Sequence, residues 1–345
     1  MTLNLVILTT AITRGDFHKK TIGKFYELYG DKLIKYNVYH IINLDLPEKL
    51  KEHFDKEYTI QLFKKIIPKY VSLEIIDNKS PGFLQAYKNV VNMTYNLNLV
   101  KKNTLIWWFE DDWKFLMNNF HNQLFDIIEL FPIDNAYAFN SVISSPLGSF
   151  RGGPIMTTKY FKKYFDIINN NAINNTGDPE KQIGRWISGN IRLGSSIIPD
   201  INTLSEKKKK NIIHRNIKND DIINIVYFYF NKDKTNVEYE IKKKIGLPPV
   251  SYYNKPTKFN HKIKFNYYII VSNNLKIHYF SKLNIENYTL DLKKMNISDI
   301  LEKISNNGIN YICIKPWLFK DVGRIFNNQY KLKKWINSND GTTYT

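Results

Sequence analysis

Cysteine is almost absent from this chain, since Cys313 is the single one among 345 residues. One thiol excludes an internal disulfide framework and any zinc site built from cysteines. Long hydrophobic runs are missing as well, because the stretch INIVYFYF is far shorter than the roughly 18 to 20 apolar residues that cross a bilayer. The apolar N-terminus MTLNLVILTTAI lacks a basic region and a cleavage pattern. We therefore expect a soluble, cytoplasmic protein without a signal peptide.

Acidic residues are also few, because 32 Asp and Glu stand against 50 Lys and Arg and give a net charge of +18. Such a charge favours polyanionic partners such as nucleic acid, an anionic membrane or a phosphorylated substrate. The lysines are spread along the whole chain, which is rich in Asn, Lys and Ile, as an AT-rich genome would favour. The charge alone therefore does not indicate a nucleic-acid partner. The 43% hydrophobic and 14% aromatic content predicts a folded globular protein.

Apolar strands alternate with helical segments through the first hundred residues. The sequence predicts strands in LNLVILTT, YNVYHIINLD, VSLEIID and TLIWWF, separated by helical segments that include residues 16–30 and FLQAYKNVVNMTYNL. This order predicts an α/β fold with a mostly parallel, Rossmann-like sheet flanked by helices.

Three consecutive acids, Glu110, Asp111 and Asp112, follow the apolar strand TLIWWF. Open α/β sheets bind ligands at the carboxyl ends of their strands, where these acids would lie. Adjacent carboxylates repel one another unless a cation lies among them, and hard divalent metals prefer oxygen ligands. One interpretation is therefore a metal that holds a phosphate. The other is that the acids cap a helix beginning near Trp113.

The acidic triplet in this context resembles the DxD-type motif of GT-A glycosyltransferases, in a form similar to that of N-acetylglucosaminyltransferase I-like enzymes. The resemblance implies that Asp112 binds Mn²⁺ or Mg²⁺ bridging the diphosphate of a nucleotide sugar. It places Glu110 at the ribose, with Asp111 beside it in the donor site. The stretches ILTTAITRGDF and IIDNKSPGFLQAYKN resemble further donor-binding segments of GT-A and family 2-like enzymes. They imply that Thr9, Thr10 and Arg14 face the nucleotide, Asp77 lies near the base, and Lys88 or Asn89 lies near the diphosphate.

Later segments resemble the acceptor side of the same enzymes. SFRGGPIMTTKYFKKYF places Gly152 and Gly153 where the backbone can approach an acceptor, although an ordinary tight turn explains them equally well. In NNTGDPEKQIGRWISGN the resemblance implies an acidic catalytic base, either Asp178 or Glu180, and an acceptor contact by Trp186. Asp178 before a proline is also a good helix N-cap.

The segment NIIHRN follows a lysine run, SEKKKK, at residues 205–210. By resemblance, His214 completes the metal site or touches the diphosphate, and Arg215 contacts a phosphate. The lysine run is either a solvated loop or a mobile flap that orders over the donor.

The residue pattern changes after residue 225. Apolar and polar residues alternate in KIKFNYYIIVSNNLKIHYFSK, which predicts paired strands, and INYICIK predicts another strand. We therefore predict a GT-A domain over 1–225 and a small C-terminal α+β module over 226–345. The module could bind the acceptor, mediate formation of a homodimer or complete the sheet of the first domain.

The leading hypothesis is a metal-dependent glycosyltransferase that moves a sugar from a nucleotide-diphosphate donor to a hydroxyl of a glycan, protein or lipid, with inversion. The resemblance favours a UDP-sugar. A nucleotidyltransferase is one alternative, but it would open with a glycine-rich loop, and TTAITRGDF has a single glycine. A non-catalytic nucleic-acid-binding protein is the other, and it gives no reason for three acids at a strand end.

Overall fold

The fold is described from a computed structural model, in which two compact units are distinguished. The first comprises Met1–Asp126, Gly153–Ile183 and Trp317–Thr345, and the second comprises Ile127–Gly152 and Gly184–Pro316. The structure describes residues 3–78, 81–115, 125, 136–140, 155–169, 222–229, 264–271, 276–281, 288–291, 309–315, 319–330, 336–338 and 341–343.

The first unit begins with four strands that are separated by helices. Its strands are β1 (Asn4–Ile12), β2 (Asn37–Asp45), β3 (Ser72–Asp77), β4 (Thr104–Glu110), β5 (Trp113–Phe115), β7 (Ile155–Thr157), β13 (Phe319–Asp321), β14 (Ile336–Ser338) and β15 (Gly341–Thr343). Its helices are α1 (Phe17–Lys20), α2 (Ile22–Leu33), α3 (Lys56–Ile66), α4 (Phe83–Asn96), α5 (Thr158–Asn169) and α6 (Gly323–Gln329), with a short 3-10 helix at Glu48–Leu50.

The main sheet of this unit has the strand order β7-β4-β1-β2-β3. β1 pairs in parallel with both β2 and β4, β2 pairs in parallel with β3, and β7 runs antiparallel to β4. The predicted α/β class, a mostly parallel Rossmann-like sheet flanked by helices, is therefore confirmed. The chain builds β1, β2 and β3 in one direction and then returns to the other side of β1 to form β4.

Both faces of this sheet are covered because successive side chains of a strand point to opposite sides. On one face Phe25 of α2 packs against Trp107 and Phe109, with ring centroids 5.0 and 4.8 Å away. On the other face Tyr87 of α4 stacks on Trp108 at 4.6 Å. All five rings are fully or almost fully buried. The continuous apolar run of β4 is thus explained by burial on two sides.

Local predictions agree closely with the observed elements. The predicted helix over 16–30 is divided in two, because Thr21 leaves the helical region and its backbone N–H bonds to the carbonyl of His18. The helix-cap interpretation of the acidic triplet is wrong, because Trp113–Phe115 forms a strand, β5, that pairs with β13.

The second unit contains a mixed sheet of six strands. They are β6 (Ala136–Asn140), β8 (Ile222–Tyr229), β9 (Lys264–Val271), β10 (Lys276–Ser281), β11 (Tyr288–Asp291) and β12 (Ile309–Lys315), in the order β11-β10-β9-β8-β12-β6. β9 and β10 pair antiparallel, as the sequence predicts, and so do β10 and β11, whereas β8 pairs in parallel with both β9 and β12. Residues 317–345 belong to the first unit. The domain boundary near residue 225 stays a prediction.

Candidate functional site at the carboxyl ends of β1 and β4

The acidic triplet lies where the strand order reverses. β1 and β4 are neighbours in the sheet, although β2 and β3 come between them in the sequence. Thr10 is in register with Glu110 at their carboxyl ends. In open α/β sheets the crevice at such a reversal is where ligands bind, because the loops leaving the two strands diverge there. Residues 13–16 and 111–112 are those loops, so the sheet itself places Arg14, Asp111 and Asp112 at this position.

Arg14 is the cation of the site. Its Nε lies 3.0 Å from Asp111 Oδ2 and its Nη2 lies 3.3 Å from Asp112 Oδ2, and the arginine is 2% exposed. Asp111 is fixed further, since its Oδ2 accepts from the backbone N–H of Ile12 at 3.2 Å and its own N–H donates to the Thr10 carbonyl at 3.3 Å. Arginine, which stays charged when buried, suits a buried pair of this kind. The repulsion expected between Asp111 and Asp112 is therefore relieved by a side chain of the same protein.

Two neighbouring aromatic rings lie beside the guanidinium of Arg14. Its Cζ lies 5.6 Å from the ring centroid of Phe17 and 5.0 Å from that of Phe326, which comes from α6. Such cation–π contacts are stronger in desolvated surroundings. The site is thus built from three stretches of sequence: residues 10–17, residues 110–112 and the segment Phe319–Tyr330.

Burial dominates the electrostatics of the acidic loop. It raises the pKa of Asp111 to about 7, against the opposing effect of Arg14. His18 Nδ1 lies 3.8 Å from Asp111 Oδ2, but burial, aided by Arg14, lowers the pKa of His18 to about 3. His18 is therefore neutral near neutral pH and does not form an ion pair with Asp111. Arg14 remains the positive charge in this cluster.

Another buried carboxylate, Asp45, lies at the end of the neighbouring strand β2 and was not among the residues predicted from the sequence. Its Oδ1 accepts from Asn43 Nδ2 at 2.9 Å and from Asn78 Nδ2 at 2.7 Å, and its Oδ2 accepts from the Gly82 N–H at 3.2 Å. Its backbone carbonyl accepts from Thr13 N–H at 2.7 Å. Asp45 thus ties together the loops after β1, β2 and β3 and the start of α4. A signal existed, since Asp45 follows a buried strand just as Glu110 does.

Thr9 lies inside the sheet. It is fully buried, and its Oγ1 lies 2.9 Å from His40 Nε2, while His40 Nδ1 lies 2.8 Å from the hydroxyl of Tyr26. Burial lowers the pKa of His40 to about 3. The contact with His40 accounts for the Thr9 hydroxyl, and a nucleotide contact by Thr9 stays a prediction.

The predicted site residues separate into three groups. The structure brings together Thr10, Arg14, Glu110, Asp111 and Asp112. Asp77 lies two strands from β1, at the end of β3, where it pairs with Lys56, and Lys88 is half-buried in α4. Seven predicted residues lie outside the described part of the chain: Gly152, Gly153, Asp178, Glu180, Trp186, His214 and Arg215.

Of the two metal ligands that the resemblance implies, Asp112 lies within the described residues and His214 lies outside them. Within the described residues no group of three or more His, Cys, Asp and Glu is arranged to hold a metal ion. Asp112 offers the oxygen donors that Mn²⁺ and Mg²⁺ prefer, and it lies at the carboxyl edge of the sheet. Its Oδ2 already accepts from Arg14. Asp112 therefore fits as one metal ligand that shares its carboxylate with Arg14, and further ligands would come from elsewhere, such as His214 or the donor.

No family model matches. No curated protein matches this chain either. Among solved structures, the chain is similar to core-mannan synthase A from Aspergillus fumigatus in its Mn/GDP form, with 11% identity over 52% of this chain and 54% of that one, and a TM-score of 0.21. A likeness of this size carries no inference about this chain. Among the described residues, no helix is both long and apolar enough to cross a bilayer.

Proposed function

We propose that this protein is a glycosyltransferase that transfers a sugar from a nucleotide-diphosphate sugar to a hydroxyl acceptor. The observation that carries the proposal is the position of Asp111 and Asp112, which lie with Arg14 at the point where the strand order of a mostly parallel sheet reverses. Ligands of open α/β sheets bind at such points. A nucleotide sugar that binds there together with a divalent metal would meet Asp111 and Asp112, which Arg14 holds in place.

The donor assignments follow the resemblance of the acidic triplet. Asp112 and His214 would hold Mn²⁺ or Mg²⁺, Glu110 would contact the ribose, and Arg215 would contact a phosphate of a UDP-sugar. A divalent metal, when bound, stabilises the negative charge of the leaving diphosphate. Since Asp112 Oδ2 already accepts from Arg14, the guanidinium would hold the carboxylate in place when the donor binds.

The acceptor assignments also follow the resemblance. Glu180 or Asp178 would take the proton of the acceptor hydroxyl, which makes the reaction an inverting one. Gly152, Gly153 and Trp186 would line the acceptor, a glycan, a protein or a lipid. The lysine run at residues 205–210 would close over the donor and exclude water.

A thermal-shift screen tests the donor site, because a ligand that binds only the folded state raises the melting temperature. We expect UDP or another nucleoside diphosphate to raise it in the presence of Mn²⁺, and Asp112→Asn to remove this response. Asp31→Asn is the matched control, since Asp31 is exposed on α2, away from the site, and should respond as the wild type does. An unchanged response in Asp112→Asn would remove Asp112 from the metal site. A response to DNA or RNA alone would replace the proposal by a nucleic-acid-binding function.

The catalytic base is tested separately from the donor site. Glu180→Gln should keep the nucleotide response and lower sugar transfer by about 100-fold or more, as expected when a general base is lost. Wild-type turnover in Glu180→Gln would assign the base to Asp178 or to another residue.

A further inference from the structure

The segment Phe319–Tyr330 reaches the acidic loop from the far end of the chain. Its strand β13 pairs antiparallel with β5, so that Asp321 is opposite Trp113 and Phe319 is opposite Phe115. The backbone N–H of Val322 then donates to the carbonyl of Asp112 at 3.0 Å. The pairing fixes the register of the segment, and the register sets Gly323 directly against Asp112.

Gly323 is required by this close approach. A Cβ at this position would lie 2.7 Å from Asp112 Cγ and 2.9 Å from Asp112 Cβ, and still nearer to Oδ2. Non-bonded atoms in proteins do not come this close, so any side chain at residue 323 forces neighbouring atoms to shift. The carboxylate is the mobile end of Asp112, whereas the backbone of Asp112 is held by Val322 and the strand pairing. A Cβ at residue 323 therefore moves the carboxylate of Asp112 off Arg14.

Phe326, one turn farther along α6, holds the other half of the ion pair. Its ring lies 5.0 Å from Arg14 Cζ and packs against Phe17 at 5.2 Å and Phe54 at 5.5 Å. Phe326 is 4% exposed and forms a small core with Ile12. Phe326 and Phe17 therefore cover one side of the guanidinium, which limits the directions in which it can present its N–H groups.

We propose that the segment Phe319–Tyr330 is a positioning element of the site, in which Gly323 and Phe326 set the carboxylate of Asp112 on the guanidinium of Arg14. Where this bears on donor binding, it rests on the proposed function. Gly323 acts by the absence of a side chain, and Phe326 acts by confining Arg14. The orientation of Asp112 thus depends on residues about 200 positions away in the sequence.

A double-mutant cycle on stability tests the contact without any ligand. We expect Gly323→Ala to lower the melting temperature by several degrees, and we expect this loss to shrink by at least half when Asp112→Ala removes the two nearest atoms. Gly30→Ala is the matched control, since a Cβ there meets only Tyr70 Oη at 3.6 Å, an ordinary contact. An equal loss in both backgrounds, or no loss in Gly323→Ala, would overturn the proposal. Should Gly323→Ala not fold, a cycle of Phe326→Leu with Arg14→Lys tests the second contact of the proposal, and additive losses would overturn it.

The metal dependence of the nucleotide response distinguishes positioning from plain destabilisation. In Gly323→Ala the Mn²⁺ concentration for half of the UDP-induced shift should rise about tenfold, which is the size of a typical outer-contact effect on metal affinity. Ile168→Val, a change in the buried face of α5, is the control for lost stability and should keep the wild-type value. A wild-type value in Gly323→Ala would contradict the role in donor binding. If the wild type itself shows no nucleotide response, the proposed function fails, and the double-mutant cycle still decides the positioning role.

Discussion

Two buried groups of acids lie at the carboxyl edge of the same sheet and are held in opposite ways. Asp45, at the end of β2, accepts from two side-chain amides and a backbone N–H, all of them neutral donors. Asp111 and Asp112, after β4, share a buried guanidinium. The Asp45 group fastens neighbouring loops to one another. The Arg14 group gathers charge at the point of strand reversal, where a ligand would enter.

The contrast indicates which of the two acidic groups has a structural role. The N-terminus of α4 could bind an anion, but Asp45 already accepts from its first N–H, at Gly82, so this helix end is occupied by the protein itself. At β4 the two carboxylates share the charged side chain of Arg14, and in the proposed function a ligand would bind beside this ion pair. Breaking each group in turn therefore tests the contrast.

Removal of the cation should have the largest effect. Arg14→Met leaves buried Asp111 and half-buried Asp112 without this counter-charge, so we expect the free energy of unfolding to fall by about 3–5 kcal/mol. Urea denaturation measures this loss. Arg14→Lys keeps the charge but not the two-pronged geometry and should cost less. A loss below about 1 kcal/mol in Arg14→Met would show that the carboxylates take up protons or water instead.

Removal of the Asp45 carboxylate should cost less, because its partners are neutral. Asp45→Ala leaves the amides of Asn43 and Asn78 and the N–H of Gly82 without their acceptor, and we expect a loss of about 2–3 kcal/mol in the same denaturation experiment. Asp45→Asn keeps one oxygen and should lose less than Asp45→Ala. The contrast between the two groups would be wrong if Asp45→Ala cost more than Arg14→Met.

The local part of this architecture could be predicted from the sequence. The runs that became β1 to β4 are apolar and bounded by turn signals, and α3 ends at Ile66, just before Pro68. The acidic triplet could be placed at a strand end for the same reason. These predictions succeeded because each rests on residues that are neighbours in the chain.

The partners of the acids could not be predicted. The metal beside Asp112 stays a prediction, and the structure adds Arg14 as a partner of the same carboxylate. No local pattern says which of 50 basic residues will be buried. Gly323 and Phe326 were beyond prediction for a further reason, since their contacts depend on the pairing of β13 with β5 across some 200 residues. The position of Asp45 could be recognised locally, because it is an acid at the end of a buried strand. No local pattern identified its amide partners, Asn43 and Asn78.

Buried His40 sharpens the comparison, because its hydrogen-bond partners, Thr9 and Tyr26, are neutral like those of Asp45. Burial lowers the pKa of His40 to about 3, whereas the unfolded chain has the ordinary value of 6.5. Between these two values the unfolded state binds more protons, so stability falls as the pH decreases below 6.5. The loss is about 1.4 kcal/mol per pH unit at most.

The measurement is the melting temperature between pH 6.5 and pH 5 in the wild type and in His40→Gln. His18 has a pKa that is likewise lowered to about 3, so among the described residues the wild type has two such histidines and the variant has one. We expect the acid-side decrease in His40→Gln to be clearly shallower than in the wild type. Asp111 titrates in both proteins, so its contribution cancels in the comparison. Identical slopes would mean that His40 takes up its proton in the folded state.

The smallest effect on stability is expected at Asp77, the acid at the end of β3. Its side chain is 58% exposed and its partner is Lys56, and exposed ion pairs contribute little because water and salt screen them. Asp77→Asn should therefore leave the melting temperature unchanged, since Lys56 still donates to the carbonyl of Asn78 at 3.2 Å.

The proposed contact with the nucleotide base predicts a lower nucleotide-induced shift in the same variant. If both quantities match the wild type, Asp77 is a surface residue and the base-binding role is wrong. If the stability falls as well, Asp77 belongs with Asp45 to the fastening of the loops.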